Sequence, residues 1–460
     1  MKSGEALGPD EGELPGLSKA FFQEVEEALA ARDLERIDAV IENLHPADIA
    51  ELLEALDPDE RRLLLRLVGN NLAPETLSYL EESLREEVAG ALGPQVVANI
   101  LELLESDDAL AFFEDLDEEL RAQILARVPV TIRRLLQEGL TYPEDSAGRL
   151  MQRETVVVPS IWTVGETIDY MRSHRKEMPH DFYDLYVVDP RYRPIGKLPL
   201  SRVMRHMRPV RILTLMDEEI RTIPVTMDQE EVAWLFKRYS LLSAPVVDDA
   251  GRLVGVITID DILDVVEEEA EEDLLRLGGV GDADIGEGAM ATAPRRIRWL
   301  LVTLFNTIVA SLVISRFAGT IEEIVALAIL MPIVAAMGGN AGMQVVTVTV
   351  RALATRALNP RNTMKVVGKE MVVGLANGLV FASIMGTIAG LWFGRLDPAL
   401  VLAAAMIFNM AWAGLAGTLI PLSLDRLGFD PAVAAGPFLT TTTDVLGFFV
   451  FLGLATQFLL

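Results

Sequence analysis

The chain has 460 residues, no cysteine and a formal net charge of −28 at neutral pH. That length predicts more than one domain; the acidity excludes a nucleic-acid-binding surface, which needs Lys and Arg against phosphate; and the lack of thiols excludes disulfides, thiolate metal sites and cysteine nucleophiles. The charge is unevenly placed: from residue 294 onward 11 Lys/Arg stand against 7 Asp/Glu, a surplus of +4, so the preceding residues carry −28 − 4 = −32.

An acidic half of this kind keeps a soluble domain dispersed, and it also suits cations. Residues 1–18, rich in Gly, Pro and Glu, read as a disordered tail without the basic and apolar regions of a signal peptide. Residues 19–140 read as an all-helical domain. Ile49, Leu52, Leu53, Leu56 and then Leu63, Leu64, Leu67 recur at helical spacing, and Pro46, Pro58, Gly69, Pro74, Gly93 and Pro94 punctuate them. Successive Leu-rich hairpins predict a small superhelix or bundle.

Between about 150 and 265 short β-branched runs alternate with helical stretches, and the order strand, helix, strand, strand, helix occurs twice. The first copy comprises Thr155–Pro159, Val164–Arg172, Leu185–Asp189 and a strand from Pro194; the second comprises Arg221–Val225, Gln229–Tyr239, Ala244–Asp248, Leu253–Thr258 and Asp260–Val266. This pair resembles tandem CBS domains. Gly255-Val-Ile-Thr258-Ile-Asp-Asp261 fits the Gly-x-x-Thr-x-x-Asp pattern of such domains, and the resemblance makes Thr258 and Asp261 candidates for a nucleotide such as ATP. The first copy has Pro199 and Arg202 at those two positions, so nucleotide binding stays open.

A helix then continues through Asp264, Glu269, Glu272 and Asp273 to Leu277, with eight carboxylates between Asp260 and Glu272, both included. Packed on a few turns they repel one another unless protons or cations intervene; a solvated charged face is the plainer alternative. A Gly-rich stretch to Gly288 leads on to five apolar segments at about Trp299–Phe317, Ile324–Val350, Met371–Phe393, Leu400–Leu422 and Val433–Leu460. Each is long enough for a hydrocarbon core needing roughly 20 helical residues. Arg295, Arg296 and Arg298 before the first span, and Arg351, Arg356, Arg361, Lys365 and Lys369 between the second and third, predict a cytoplasmic acidic half and an outside C-terminus.

Polar residues within spans are costly in lipid and mark a path or a packing contact. Here they are Asn340, Glu370 beside Lys369, Asn409, and Thr440 to Asp444. Gly338, Gly339 and Gly447 read as close-packing residues. Asp444, the sole carboxylate inside the last span, has no basic partner at matching depth in spans two to five, which makes a cation its expected partner.

Tyr142-Pro-Glu-Asp-Ser-Ala-Gly-Arg-Leu-Met151, Asp228-Gln-Glu230-Glu-Val, Gly-Gly-Asn340-Ala-Gly-Met-Gln344, Lys369-Glu-Met-Val-Val-Gly374 and the Thr-rich run ending at Asp444 follow in order. Together they resemble the MgtE family of magnesium transporters over nearly all the chain after residue 20. The resemblance implies a multidomain membrane protein: a disordered tail at 1–18, a helical N-terminal domain at 19–140, CBS domains at 141–208 and 209–262, an acidic plug helix and linker at 263–293, and a five-span pore domain at 294–460. It implies a homodimer in the cytoplasmic membrane that passes Mg²⁺ and is closed by cytosolic Mg²⁺. Asp444 would hold the hydrated ion, with Asn340, Thr441, Asn409 and Glu370 along the path. Asp228, Glu230, Asp261, Asp264, Glu269, Glu272 and Asp273 match acidic sensing positions, with Asp108 as the candidate in the N-terminal domain. Ser240 stands where the family usually has an acid. The alternative is a CBS-regulated secondary transporter of Mg²⁺ or Co²⁺ under nucleotide control. No nucleophile–base constellation or phosphate loop points to an enzyme, and only four histidines exist.

Overall fold

The computed structural model describes residues 18–175, 178–179, 182–280, 289–359 and 361–460. All but Ser18 of the expected tail at 1–18, and most of the Gly-rich linker, lie outside the described residues. The chain forms two compact units, with the boundary after Glu267.

The described residues of the first unit begin with the helices α1 (Lys19–Ala31), α2 (Leu34–Ile41), α3 (Pro46–Ala55), α4 (Pro58–Val68), α5 (Glu82–Leu92), α6 (Pro94–Leu101), α7 (Ser106–Glu114), α8 (Glu118–Leu125) and α9 (Val130–Gly139). Pro46, Pro58 and Pro94 each start a helix, where the missing N–H costs nothing and the fixed φ is already helical. Asp117 caps α8 by accepting from Leu120 N at 2.6 Å. Gly69 and Pro74 do more than punctuate, since both begin single 3₁₀ turns. One core joins the helices, and Ile49, Leu52, Leu53, Leu56 and Leu64 sit in it as their spacing predicts, with Leu63 and Leu67 on its margin. Arg61 is buried among these helices. Its Nη1 lies 2.8 Å from Glu87 Oε2, and its Nε and Nη2 donate to Leu53 O at 2.6 Å and Leu56 O at 2.9 Å.

After a short helix α10 (Ala147–Leu150) come β1 (Val157–Pro159), α11 (Val164–Ser173), β2 (Asp184–Val188), β3 (Pro194–Pro199) and α12 (Leu200–Arg205). The pattern then repeats as β4 (Ile223–Pro224), α13 (Gln229–Tyr239), β5 (Ser243–Val247), β6 (Leu253–Thr258) and α14 (Ile259–Leu277). In each copy the first strand is parallel to the second and the second antiparallel to the third. Even the register break recurs, at Val187/Val188 and at Val246/Val247. The two sheets are linked by polar side chains. Ser243 Oγ donates to Asp184 Oδ2 at 3.0 Å, so Tyr186 Oη must be the donor in its 2.6 Å bond to Ser243 Oγ, because the serine has one proton. Lys197 Nζ lies 3.1 Å from the same Asp184 oxygen.

The second unit holds the end of α14 and then α15 (Ala289–Ser315), the short α16 (Ala318–Glu323), α17 (Ala326–Ala354), α18 (Thr363–Phe393), α19 (Leu396–Arg426) and α20 (Pro431–Leu459). Five of these, all but α14 and α16, are long and apolar enough to cross a membrane. Their ends overrun the expected spans. α15 starts ten residues before Trp299, and α18 starts at Thr363 and runs unbroken through Lys369 and Glu370. Hydropathy sees only the apolar stretch, whereas the helix continues into polar turns. α19 is the most enclosed of the five and α15 the least. α18 and α19 approach through small residues: a Cβ on Gly374 would stand 2.5 Å from Met410 O, and one on Gly414 would stand 2.5 Å from Glu370 O.

Candidate cation sites

Three groups of polar side chains stand out. The first joins α7 to the start of α14. The N-terminus of α7 is held by Glu154, whose Oε2 accepts from Ser106 N at 3.2 Å and Ser106 Oγ at 2.7 Å; the Gln152 side chain donates to Glu105. Acids at this end suit the positive pole of the helix. Asp107 is buried, and burial together with the nearby Asp261 and Asp108 holds its carboxyl well above the usual range. Burial pushes Glu105 up to about 7, with Asp108, Glu154, Asp261 and Asp260 adding to the effect. Asp261 also rises to about 7: burial is the largest cause, hydrogen bonds from Thr258 oppose it, and Asp260 reinforces it. Asp108 and Asp264 are raised as well, by burial first and then by neighbouring acids that include Asp260. Buried like charges in one place cannot all ionise without a counter-charge.

Of the expected sensing residues, Asp108, Asp261 and Asp264 therefore come together. Glu105, Asp107 and Glu154 join them although the sequence reading passed over them. Glu105 and Asp107 flank Ser106 next to Asp108, so the local run of acids was the available signal. Asp228 and Glu230 sit at the N-terminus of α13, where the Asp228 carboxylate accepts from Glu230 N at 2.9 Å as a helix cap. Ser240 closes that helix in a left-handed conformation, φ 50°. Arg202, at the motif position in the first copy, binds Leu215 O and Asp217 Oδ1, each at 2.7 Å.

The second group lies where α14 ends. Arg276 pairs with Glu272 one turn back and reaches Asp430 Oδ2 at 3.0 Å. Asp430 also caps α20 by accepting from Ala432 N at 2.8 Å. Asp273 is raised by burial and then by Asp430 and Glu269. Leu277 packs on the core made by Val346, Val350, Ala416, Ala432, Ala435 and Leu439.

The third group is within the spans. α20 buries Ala432, Ala435, Leu439, Thr443, Gly447 and Phe451 along one face, and Asp444 lies beside that face, partly exposed. No hydrogen bond or ion pair reaches Asp444 from the described residues. Thr441 Oγ1 donates to Pro437 O at 2.6 Å, and Thr440, Thr442 and Thr443 also donate to carbonyls a turn back. With their protons so used, these hydroxyl oxygens remain as acceptors. Asn340 is exposed on α17, and Glu370 is buried beside Lys369 Nζ at 3.0 Å. Asn409 is fully buried inside this single bundle, its Nδ2 donating to Val334 O at 2.9 Å. Asn409 and Glu370 are both enclosed by the bundle in this structure. Among the described residues no three His, Asp or Glu side chains converge closely enough to chelate an ion directly.

The family profile of divalent cation transporters, MgtE, matches residues 331–454; the MgtE intracellular N domain matches 44–145, and a CBS domain matches 212–268. The magnesium transporter MgtE of Thermus thermophilus is 34% identical over 447 residues, covering 94% of this chain and 97% of its own. The chain belongs to the MgtE family of magnesium transporters. The MgtE of Bacillus subtilis is 30% identical over 92% of this chain and 93% of its own. The crystal structure of the cytosolic domain of the Mg²⁺ channel MgtE in complex with ATP matches 53% of this chain and 99% of that one, at 32% identity and a TM-score of 0.50. This chain is thus a multi-pass membrane protein for divalent cation transport, with CBS domains attached.

Thr258 N and Oγ1 both donate to Asp261 Oδ2, at 3.2 and 2.6 Å, and Asp260 and Asp108 lie near enough to raise the Asp261 carboxyl.

Proposed function

We propose that this MgtE chain forms a homodimeric, Mg²⁺-selective channel in the cytoplasmic membrane. In this reading it admits magnesium to the cell and is closed when cytosolic Mg²⁺ binds the acidic groups. The observation that carries the reading is the gathering of Glu105, Asp107, Asp108 and Asp261, with two carboxyls pushed to about 7. Burial and mutual repulsion disfavour their charged forms, and a divalent cation would relieve that repulsion. Mg²⁺ keeps its waters and is commonly held through one or two carboxylates, so hydrogen bonds from its water shell would suffice. Binding that favours one state over another is what a switch requires.

Asp444 is the proposed filter. Two such carboxylates facing across a twofold axis would hold a hydrated ion, with Asn340 and the acceptor oxygens of the Thr440–Thr443 run taking hydrogen bonds from its water shell. Glu269, Glu272 and Asp273 would carry closure from the sensor to the spans, because α14 is one unbroken helix from Ile259 to Leu277. The positive residues flanking α15 and between α17 and α18 support a cytoplasmic N-terminal side.

The test uses the full chain in vesicles under voltage clamp. Mg²⁺ current without a coupled counter-ion, inhibited by Mg²⁺ on the N-terminal side, is expected. Strict one-for-one exchange would replace the channel with a carrier, and inhibition unchanged in the triple variant E269A/E272A/D273A would reduce the helix to a solvated linker.

A further inference from the structure

Asn409 is the only residue whose polar side chain is wholly buried at the meeting of three long helices among the described spans with one amide atom left unpartnered. Its orientation is fixed, since Val334 O only accepts and the amide NH₂ must therefore point at it. Oδ1 is then turned away and meets no donor. A buried amide oxygen without a partner is costly, and more so in lipid, where no bulk water competes. Leucine has the same branched heavy-atom skeleton and no polar atom to leave unpartnered, though it is bulkier.

The neighbours are shaped around this amide. A Cβ on Gly338 of α17 would overlap Nδ2, and one on Gly447 of α20 would stand 2.8 Å from it. Asn409 thus occupies the room that these two glycines leave, and it ties α19 to both helices at one depth. Gly338 is two residues from Asn340, and Gly447 is one turn from Asp444, a separation of about 4.5 Å along the axis. Asn340 turns outward from the bundle where Gly338 turns inward.

We propose that Asn409 is the positioning residue of the ion filter: by hydrogen-bonding α17 and filling the gap left by Gly338 and Gly447, it sets the spacing of Asn340 and Asp444. This rests on the reading of Asp444 as the filter. A hydrated ion is discriminated by the separation of the groups that hold its water, and such sites demand close positioning by their support.

The experiment compares Mg²⁺ and Ca²⁺ uptake by full-length protein in vesicles for N409L, G447A and D444N. N409L is expected to lower Mg²⁺ over Ca²⁺ discrimination by about tenfold while leaving total divalent flux within about threefold. G447A, which keeps the amide but crowds it, should lower discrimination in the same direction. Wild-type discrimination in either folded variant overturns the inference, and failure of both to fold overturns it too, by making the contact structural only. D444N separates the two readings: discrimination unchanged there removes Asp444 from the path, whereas loss in D444N with none in N409L leaves the filter and removes only the positioning role.

Discussion

Arg276 stands between Glu272, one turn back on its own helix, and Asp430 at the N-terminus of α20, with Nη1 3.0 Å from Asp430 Oδ2. A fixed cation therefore already sits among carboxylates proposed to await a mobile one. The pair is partly exposed and worth about 0.5–1 kcal/mol, a two- to fivefold effect on an equilibrium. R276Q should raise Mg²⁺ flux at low cytosolic Mg²⁺ by that factor and make inhibition steeper, since Mg²⁺ must then supply the missing charge. R276K should lie between. Flux in R276Q equal to wild type at every Mg²⁺ concentration would leave the pair without a role in closure.

Neutralising the buried acids should act in opposite directions with and without the ion. D107N and D261N each remove a carboxylate that burial disfavours. Without Mg²⁺ either variant should melt higher than wild type, and the upward shift in Tm that Mg²⁺ produces should shrink. A Mg²⁺-induced shift as large as in wild type would show that the ion binds elsewhere.

The pH dependence follows from the same groups. Glu105 and Asp261 have folded pKa values near 7 against ordinary values near 4, so between those limits the folded state holds more protons than the unfolded. Stability without Mg²⁺ should therefore fall as pH rises from about 4 to about 7 and then level off. Mg²⁺ must displace those protons, so half-inhibition should need more Mg²⁺ at pH 6 than at pH 8. Equal half-inhibition at both pH values would contradict the assignment.

Asp444 offers the simplest test of the path. D444N keeps the size and removes the charge, and it should cut Mg²⁺ uptake at least about tenfold without changing the Tm in detergent. Uptake at the wild-type rate would exclude it.

Arg61 serves the N-terminal helices alone. R61A would leave Glu87 with Arg62 as its remaining partner and strand two carbonyls that the guanidinium now satisfies. The expected loss is about 3 kcal/mol, read as a lower denaturant midpoint for the helical signal of the soluble half.

Much of the architecture was legible because its signals are local. Leucine spacing marked the N-terminal helices, alternating runs marked both sheets, and span lengths marked the membrane helices. The Thr258–Asp261 pair was visible as a motif, but its surroundings were not. Those surroundings come from Glu105 and Asp107, more than 150 residues earlier, and no periodicity joins such distant segments. Asn409 shows the reverse failure. A lone amide in an apolar span looks the same whether it faces a path or a glycine on the next helix, and only packing separates the two. Arg276 carries no local signal of its role, since its partner Asp430 lies 154 residues away.

The raised carboxyl pKa values of Glu105 and Asp261 carry one further consequence. A binding site that must release hydrogen ions to take up a metal does not count metal ions alone. It compares the two concentrations, and the set point moves with the acidity of the cell. An acidified cytosol would keep the pathway open at magnesium levels that shut it in an alkaline one, so this protein would defend a ratio of magnesium to hydrogen ions.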